Sequence, residues 1–217
     1  MKINKISDSK VQILHEETIN APMEKVFPLA CPVLEYKWIP GWKCQLVHCP
    51  SGYVEQGTIF NEIMSAPMLL GRSLGKTTWT ALYYSAQKHH VHYELRNEVS
   101  VSLDKLEFDV LGPNKVKLRM DLTYEALNEK GREIIRNHGG EKIGFMQAML
   151  ASMLKHYCEE GEIISIMDIK KNGLRSDLFS EKEKFQLAIN TLAMKIMKDE
   201  NRKQFLQGKP VSDCRTR

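Results

Sequence analysis

Residues 139–161 read Gly139-Gly140-Glu141-Lys142-Ile143-Gly144-Phe145-Met146-Gln147-Ala148-Met149-Leu150-Ala151-Ser152-Met153-Leu154-Lys155-His156-Tyr157-Cys158-Glu159-Glu160-Gly161. Ile143, Met146, Leu150, Met153, Leu154 and Tyr157 recur at helical spacing and form one wide apolar stripe. Gln147, Lys155 and Glu159 fall on the opposite side, which the spacing predicts to be wet. Two glycines precede the helix, and Gly161 after an acidic last turn is a stop signal. Met146, Met149 and Met153 lie on or near the stripe, and methionine suits adaptable apolar surfaces. The stripe reads either as plain core or as one wall of a ligand cavity.

Upstream of this helix the period changes from 3.6 to two. Val116, Leu118, Met120, Leu122 and Tyr124 alternate with Lys115, Lys117, Arg119, Asp121 and Thr123, the clearest strand in the chain. One buried and one wet face indicate an antiparallel sheet. Further strands are predicted over Lys10–Ile19, Trp42–Cys49, Gly57–Ile63, Lys76–Tyr84, Gln87–Arg96 and Glu98–Leu111. In the last of these, Val99, Val101 and Leu103 are odd-numbered whereas Leu106, Phe108 and Val110 are even-numbered. A bulge at Asp104-Lys105 would restore a single face. Asn20 is positioned to cap a short helix opened by Pro22. A second short helix is expected over Pro32–Trp38, and Asn128 can cap a third over Glu129–Asn137.

The chain is 217 residues long, with 42% hydrophobic and 27% charged residues, proportions ordinary for a globular protein. The net charge of +4 is too mild and too evenly spread for a nucleic-acid partner. No apolar run is long enough to span a bilayer, and the first residues carry no signal-peptide core, so a cytoplasmic location and no integral membrane segment are expected. Five cysteines without a C-x-x-C argue against a disulfide framework. Cys44, His48 and Cys49 raise a metal question, but on a strand Cys49 points away from the other two. Neither a metal nor a cofactor is expected.

Residues 1–9 read as a loose N-terminus, 10–170 as one domain, 171–207 as a helical appendage and 208–217 as a polar, disordered tail. The run Ile163–Ile169 is ambiguous in period and is compatible with a continuation of the long helix. The loop Met64–Gly75 holds an apolar Met68-Leu69-Leu70, either tucked over the core or serving as a lid. Ser180-Glu181-Lys182-Glu183 is a capping box opening a last helix with Phe185, Ala188, Leu192 and Ile196 on one face. That stripe docks on its own domain, caps the cavity mouth or pairs with a second copy. A homodimer through residues 180–206 is favoured, because two-fold dimers are the commonest oligomers.

Three stretches carry a resemblance. They are Ile19-Asn20-Ala21-Pro22-Met23-Glu24-Lys25-Val26-Phe27, then Trp38-Ile39-Pro40-Gly41-Trp42 followed by Gly57-Thr58-Ile59-Phe60, and Leu122-Thr123-Tyr124-Glu125-Ala126-Leu127-Asn128-Glu129-Lys130-Gly131. With the element order they resemble the START-like superfamily, also called SRPBCC or Bet v 1-like, over roughly residues 10–162. The resemblance implies an α+β helix-grip fold, a curved seven-stranded antiparallel sheet around the long C-terminal helix, here with an additional C-terminal helix. It also implies a hydrophobic cavity between sheet and helix. Members include lipid carriers, polyketide cyclases and dehydrases, and co-chaperones.

The expected cavity walls are Trp38, Trp42, Phe60, Trp79, Tyr93, Phe108, Met120, Leu122, Tyr124, Met146, Met149, Leu150 and Met153, each equally readable as core. A small hydrophobic or amphipathic molecule, lipid-like or aromatic, is the expected partner. Glu35, Tyr36, His48, Glu62, His92, Glu94, Arg96 and Tyr124 are the polar candidates. His90, His92, Glu94 and Arg96 alternate against an apolar face and read as an exposed polar set, and His156 reads as structural, near a helix C-terminus. No nucleophile elbow or H-E-x-x-H occurs. A cyclase or dehydrase would instead use general acid–base groups, with Tyr36, His48, Glu62 and Tyr124 as catalytic candidates. A co-chaperone-like protein would show an exposed apolar patch.

Overall fold

A computed structural model describes residues 1–39, 42, 44–62, 76–138 and 140–163, without the side chains of His138 and Met146. The strands are β1 (Lys2–Ser7), β2 (Lys10–Ile19), β3 (Cys44–His48), β4 (Ile59–Glu62), β5 (Thr77–Ser85), β6 (His90–Arg96), β7 (Ser100–Gly112) and β8 (Lys115–Ala126). The helices are α1 (Met23–Val26), α2 (Glu129–His138) and α3 (Glu141–Glu160), with 3-10 turns at Phe27–Ala30 and Glu35–Lys37. The strands form one antiparallel sheet in the order β1-β2-β8-β7-β6-β5-β4-β3.

Among the described residues the sheet has eight strands, not the expected seven, because residues 2–7 add an edge strand where a loose terminus was expected. Its backbone pairs Ile3 with Ile13 and Lys5 with Val11. Only Ile3 of this strand packs against the core, while Ile6 is 57% exposed. An edge strand held chiefly by main-chain hydrogen bonds leaves almost no hydrophobic period to read.

The β7 expectation also needs correction. β6 and β7 pair without a break through Asp104 and Lys105, so no bulge sits there, and the register shift lies at Val110–Gly112. The inward residues are Ser100, Ser102, Asp104, Leu106 and Phe108, while Val101 and Leu103 face out. The inner face thus opens with three buried polar side chains.

α3 lies along β2. At its start Gly140 adopts φ +76°, and a Cβ there would come within 2.9 Å of methyl groups of both Ile3 and Val11. At its end Glu159 accepts hydrogen bonds from the backbone N–H of Asn20 (2.7 Å) and from Asn20 Nδ2 (3.0 Å). Asn20 therefore fastens α3 to the end of β2, and Pro22, not Asn20, occupies the α1 N-cap. Gly161 ends α3 at φ +77°, its N–H donating to the Tyr157 carbonyl at 3.0 Å. Residues 164–217, which include the expected appendage, tail and capping box, lie outside the described residues.

Only a 3-10 turn forms within Pro32–Trp38, where a helix was expected. The irregular buried backbone of Leu29–Pro32, just before it, is satisfied by aromatic donors: Trp38 Nε1 donates to Leu29 O (2.9 Å), Trp42 Nε1 to Pro32 O (2.8 Å) and Tyr93 Oη to Ala30 O (3.1 Å). Buried carbonyls need such partners, so these rings do more than fill volume.

Candidate functional site

Antiparallel pairing places Phe60 opposite Trp79, Trp79 opposite Leu95, and Tyr93 opposite Asp104. Phe60 stacks on Trp79 at 5.4 Å between ring centroids, and Trp79 meets Tyr93 edge-on at 5.7 Å. Trp42 closes the group at 6.2 Å from Trp79. Phe60, Tyr93, Phe108, Met149 and Met153 are at most 2% exposed and are close-packed. Trp38, Trp42 and Met120 are also buried. Around them Tyr36, Cys44, Trp79, Leu95, Leu106, Leu150 and Tyr157 are partly buried and pack on the same cluster. Leu122 and Tyr124 belong to a separate cluster with Ile134 and Ile135 of α2.

Into this apolar setting the inner face brings carboxyls. Glu62 Oε2 accepts a hydrogen bond from Trp79 Nε1 at 3.1 Å, and burial still pushes the Glu62 pKa up. Glu35 keeps some exposed surface, yet burial of its carboxyl, then the Cys31, Glu62 and Asp104 groups, raise its pKa well above the ordinary value. Asp104, 5% exposed, is pushed up by burial to about 7. Gln147 Nε2 donates to Asp104 Oδ2 at 3.3 Å and opposes that shift. Asp104 Oδ1 and Gln147 Oε1 are buried with no hydrogen-bond partner. Among the described residues no lysine, arginine or histidine forms an ion pair with Glu35, Glu62 or Asp104. Burial pushes the Cys44 thiol up to about 12. Closer to α3, His15 has both ring nitrogens buried without a hydrogen bond. Burial lowers its pKa, while Glu17 opposes the shift.

Solved structures share the fold. A truncated norcoclaurine synthase from Thalictrum flavum superposes with a TM-score of 0.53 at 15% identity, over 74% of this chain and 100% of that one. A START superfamily protein from Mycobacterium smegmatis gives 0.55 at 16% identity, over 70% and 99%. An aromatase/cyclase from Streptomyces gives 0.50 at 11% identity, over 71% and 99%. This is the helix-grip fold. No protein-family model matches the chain, and no curated protein matches it in sequence.

Within the helix-grip frame the expected site residues separate. Glu62 lies inward beside Trp79, and Tyr36 packs against the inner cluster. Tyr124 is buried in the second cluster, where burial pushes its phenol pKa up and Ser100 opposes. His48 is exposed on the edge strand β3. His92 and Glu94 are on the outer face, and Glu94 accepts a hydrogen bond from Arg96 Nε at 3.2 Å. The Met146 side chain and the loop 63–75 lie outside the described residues.

Sequence reasoning missed Asp104, assigned to a bulge, and Gln147, assigned to a wet face. Gln147 is 3% exposed and points at the sheet. Lys155 likewise turns to the sheet, its Nζ donating to Glu17 Oε1 at 2.9 Å. The one available signal was the even-numbered phase of Leu106 and Phe108, which, carried back without a bulge, puts Asp104 in line with the apolar face. Cys44, His48 and Cys49 do not assemble as metal ligands among the described residues, and Cys49 Sγ donates instead to Tyr53 O at 3.1 Å.

Proposed function

We propose that the protein binds a hydrophobic or amphipathic small molecule between the inner face of the sheet and α3. The observation that carries this reading is the set of partly buried apolar side chains, Tyr36, Trp79, Leu95, Leu106, Leu150 and Tyr157, packed on a fully buried aromatic and methionine core. Covering their remaining apolar surface is favourable by about 25 cal/mol per Å². The unpartnered acceptors Asp104 Oδ1 and Gln147 Oε1 suit a ligand that ends in a hydrogen-bond donor. Cytoplasmic placement belongs to the same proposal. No described helix is long and apolar enough to cross a membrane.

Nile red, a neutral apolar dye, tests this directly. The full-length protein is expected to bind it in one-to-one stoichiometry, and Leu150→Trp, which fills the half-buried position, to weaken binding at least tenfold. Native mass spectrometry of protein purified from its own host should show a bound lipid-like or aromatic species. Absence of both signals would overturn the reading.

The cyclase or dehydrase alternative is favoured by one observation: Glu35, Glu62 and Asp104 all have raised pKa values on the ligand-facing side. A carboxyl whose hold on its proton is strengthened by burial is suited to act as a general acid. Incubating the recovered ligand with the protein should then yield a product lighter by one water, and Glu62→Gln should slow this at least a hundredfold while binding persists. An unchanged ligand mass would leave the binding function alone.

The homodimer through residues 180–206 is a further part of the proposal, resting on the amphipathic stripe of Phe185, Ala188, Leu192 and Ile196. Light scattering should give twice the chain mass for the full-length protein and a single chain mass after deletion of residues 178–217. A monomeric full-length protein would rule the dimer out.

A further inference from the structure

The outer face of the sheet, away from α3, carries a cluster that the proposed function does not use. His90 and His92 are two residues apart on β6 and project on the same side. Glu107 of β7 is the direct cross-strand partner of His90. Glu107 Oε1 lies 3.9 Å from His90 Nδ1 and 3.5 Å from His92 Nε2. One ligand atom from each of the three residues falls within 4.8 Å of the others. His92 Nε2 is buried and makes no hydrogen bond.

We propose that His90, His92 and Glu107 form a Zn2+ site that clips β6 to β7 on the outer face of the sheet. The geometry needs little adjustment. Tetrahedral zinc with donors at about 2.0–2.2 Å sets those donors about 3.3 Å apart. The His92–Glu107 spacing is already close to this, and a small side-chain rotation of His90 supplies the rest. Two imidazole nitrogens and one carboxylate oxygen select a borderline transition ion over Mg2+ or Ca2+, which require a shell of oxygens. The fourth position is left to water.

The surroundings hold these ligands in place. Arg119 engages Glu107 Oε2 at 3.2 Å and Asp109 at 2.8 Å. It thereby orients the carboxylate and leaves Oε1 for the ion. The Tyr83 ring lies 5.0 Å from the His92 ring and packs beside it, and the two imidazoles stack at 6.4 Å. The positive charges of Arg119 and of Lys105, which sits opposite His92, weaken the site. Asp109 and Asp121 each pair with one of those cations and offset them.

Isothermal titration of the chelator-treated full-length protein with zinc chloride decides the matter. The wild type is expected to show a one-to-one event, at least tenfold weaker in His92→Asn and in Glu107→Gln, with no response to magnesium chloride. Zinc should also raise the wild-type Tm and leave the His90→Asn/His92→Asn variant unchanged. Free cysteines are competing ligands, so Co2+ is the second probe. Cobalt bound here should lack the near-ultraviolet thiolate charge-transfer band. Undiminished zinc affinity in the double variant, a cobalt–thiolate band for the same event, or no zinc uptake by the wild type would each overturn the site.

Discussion

Asp104→Asn is expected to raise the unfolding free energy by about 2–4 kcal/mol at pH 8 and to leave it nearly unchanged near pH 3.5. Burial holds the Asp104 carboxyl at about 7 in the folded protein against an ordinary value of 3.8. Between these two values the folded state binds a proton that the unfolded chain has released. Stability therefore falls as pH rises through this window and levels off above it. Each pH unit of that difference is about 1.4 kcal/mol, so the full displacement sets the upper end of the range. Asparagine keeps an oxygen for the Gln147 amide and carries no charge to bury. Glu35 and Glu62 are shifted in the same direction, which makes the difference between variant and wild type the quantity to measure. Urea denaturation at pH 3.5 and pH 8 provides it. A difference that does not grow with pH would mean that Asp104 is not held in a desolvated site.

Gly131→Ala is expected to destabilise the protein by about 3 kcal/mol, lowering Tm by roughly 6–12 °C for a chain of this size. Gly131 lies in α2, and a Cβ there would sit 2.2 Å from the Val99 carbonyl oxygen and 2.9 Å from Ala126 Cβ. Neither neighbour can step aside. Val99 O already accepts the Leu127 N–H at 2.8 Å, and Ala126 is the last residue of β8. The helix must lift, and Ile134 and Ile135 are then drawn away from Leu122 and Tyr124. Helix propensity works the other way, favouring alanine over glycine by about 0.5–1 kcal/mol. The sign of the measured change therefore reports which effect is larger. A variant as stable as wild type in thermal and urea unfolding would show that α2 is not pressed against the β7 entry.

Much of the fold was legible because its elements carry their own period. Val116 through Tyr124 alternate without a fault, and all five are buried as that alternation requires. The predicted strand Lys10–Ile19 is β2 with those bounds, and α3 ends at the Gly161 stop. The candidate site was legible in part. Phe60, Tyr93, Phe108, Met149 and Met153 are buried on the inner side, and Glu62 was among the polar candidates. Asp104, Gln147 and the outward His90–His92–Glu107 cluster were not identified as sites. A hydrophobic period registers apolar side chains, so a polar residue facing inward looks like a break in the pattern or like a wet position.

Periodicity and turn chemistry, which depend on neighbours within a few residues, let the sequence by itself determine an antiparallel sheet followed by one long helix. Tertiary structure alone decided that residues 2–7 close the sheet edge, that Gln147 turns toward Asp104 and that Asn20 ties β2 to α3. Each of these depends on a partner on another element, Ile13, Asp104 or Glu159, and a contact between distant positions leaves no trace in local spacing. The Asp104 pKa has the same origin, since desolvation is set by everything packed around a group and not by the residues beside it in the chain.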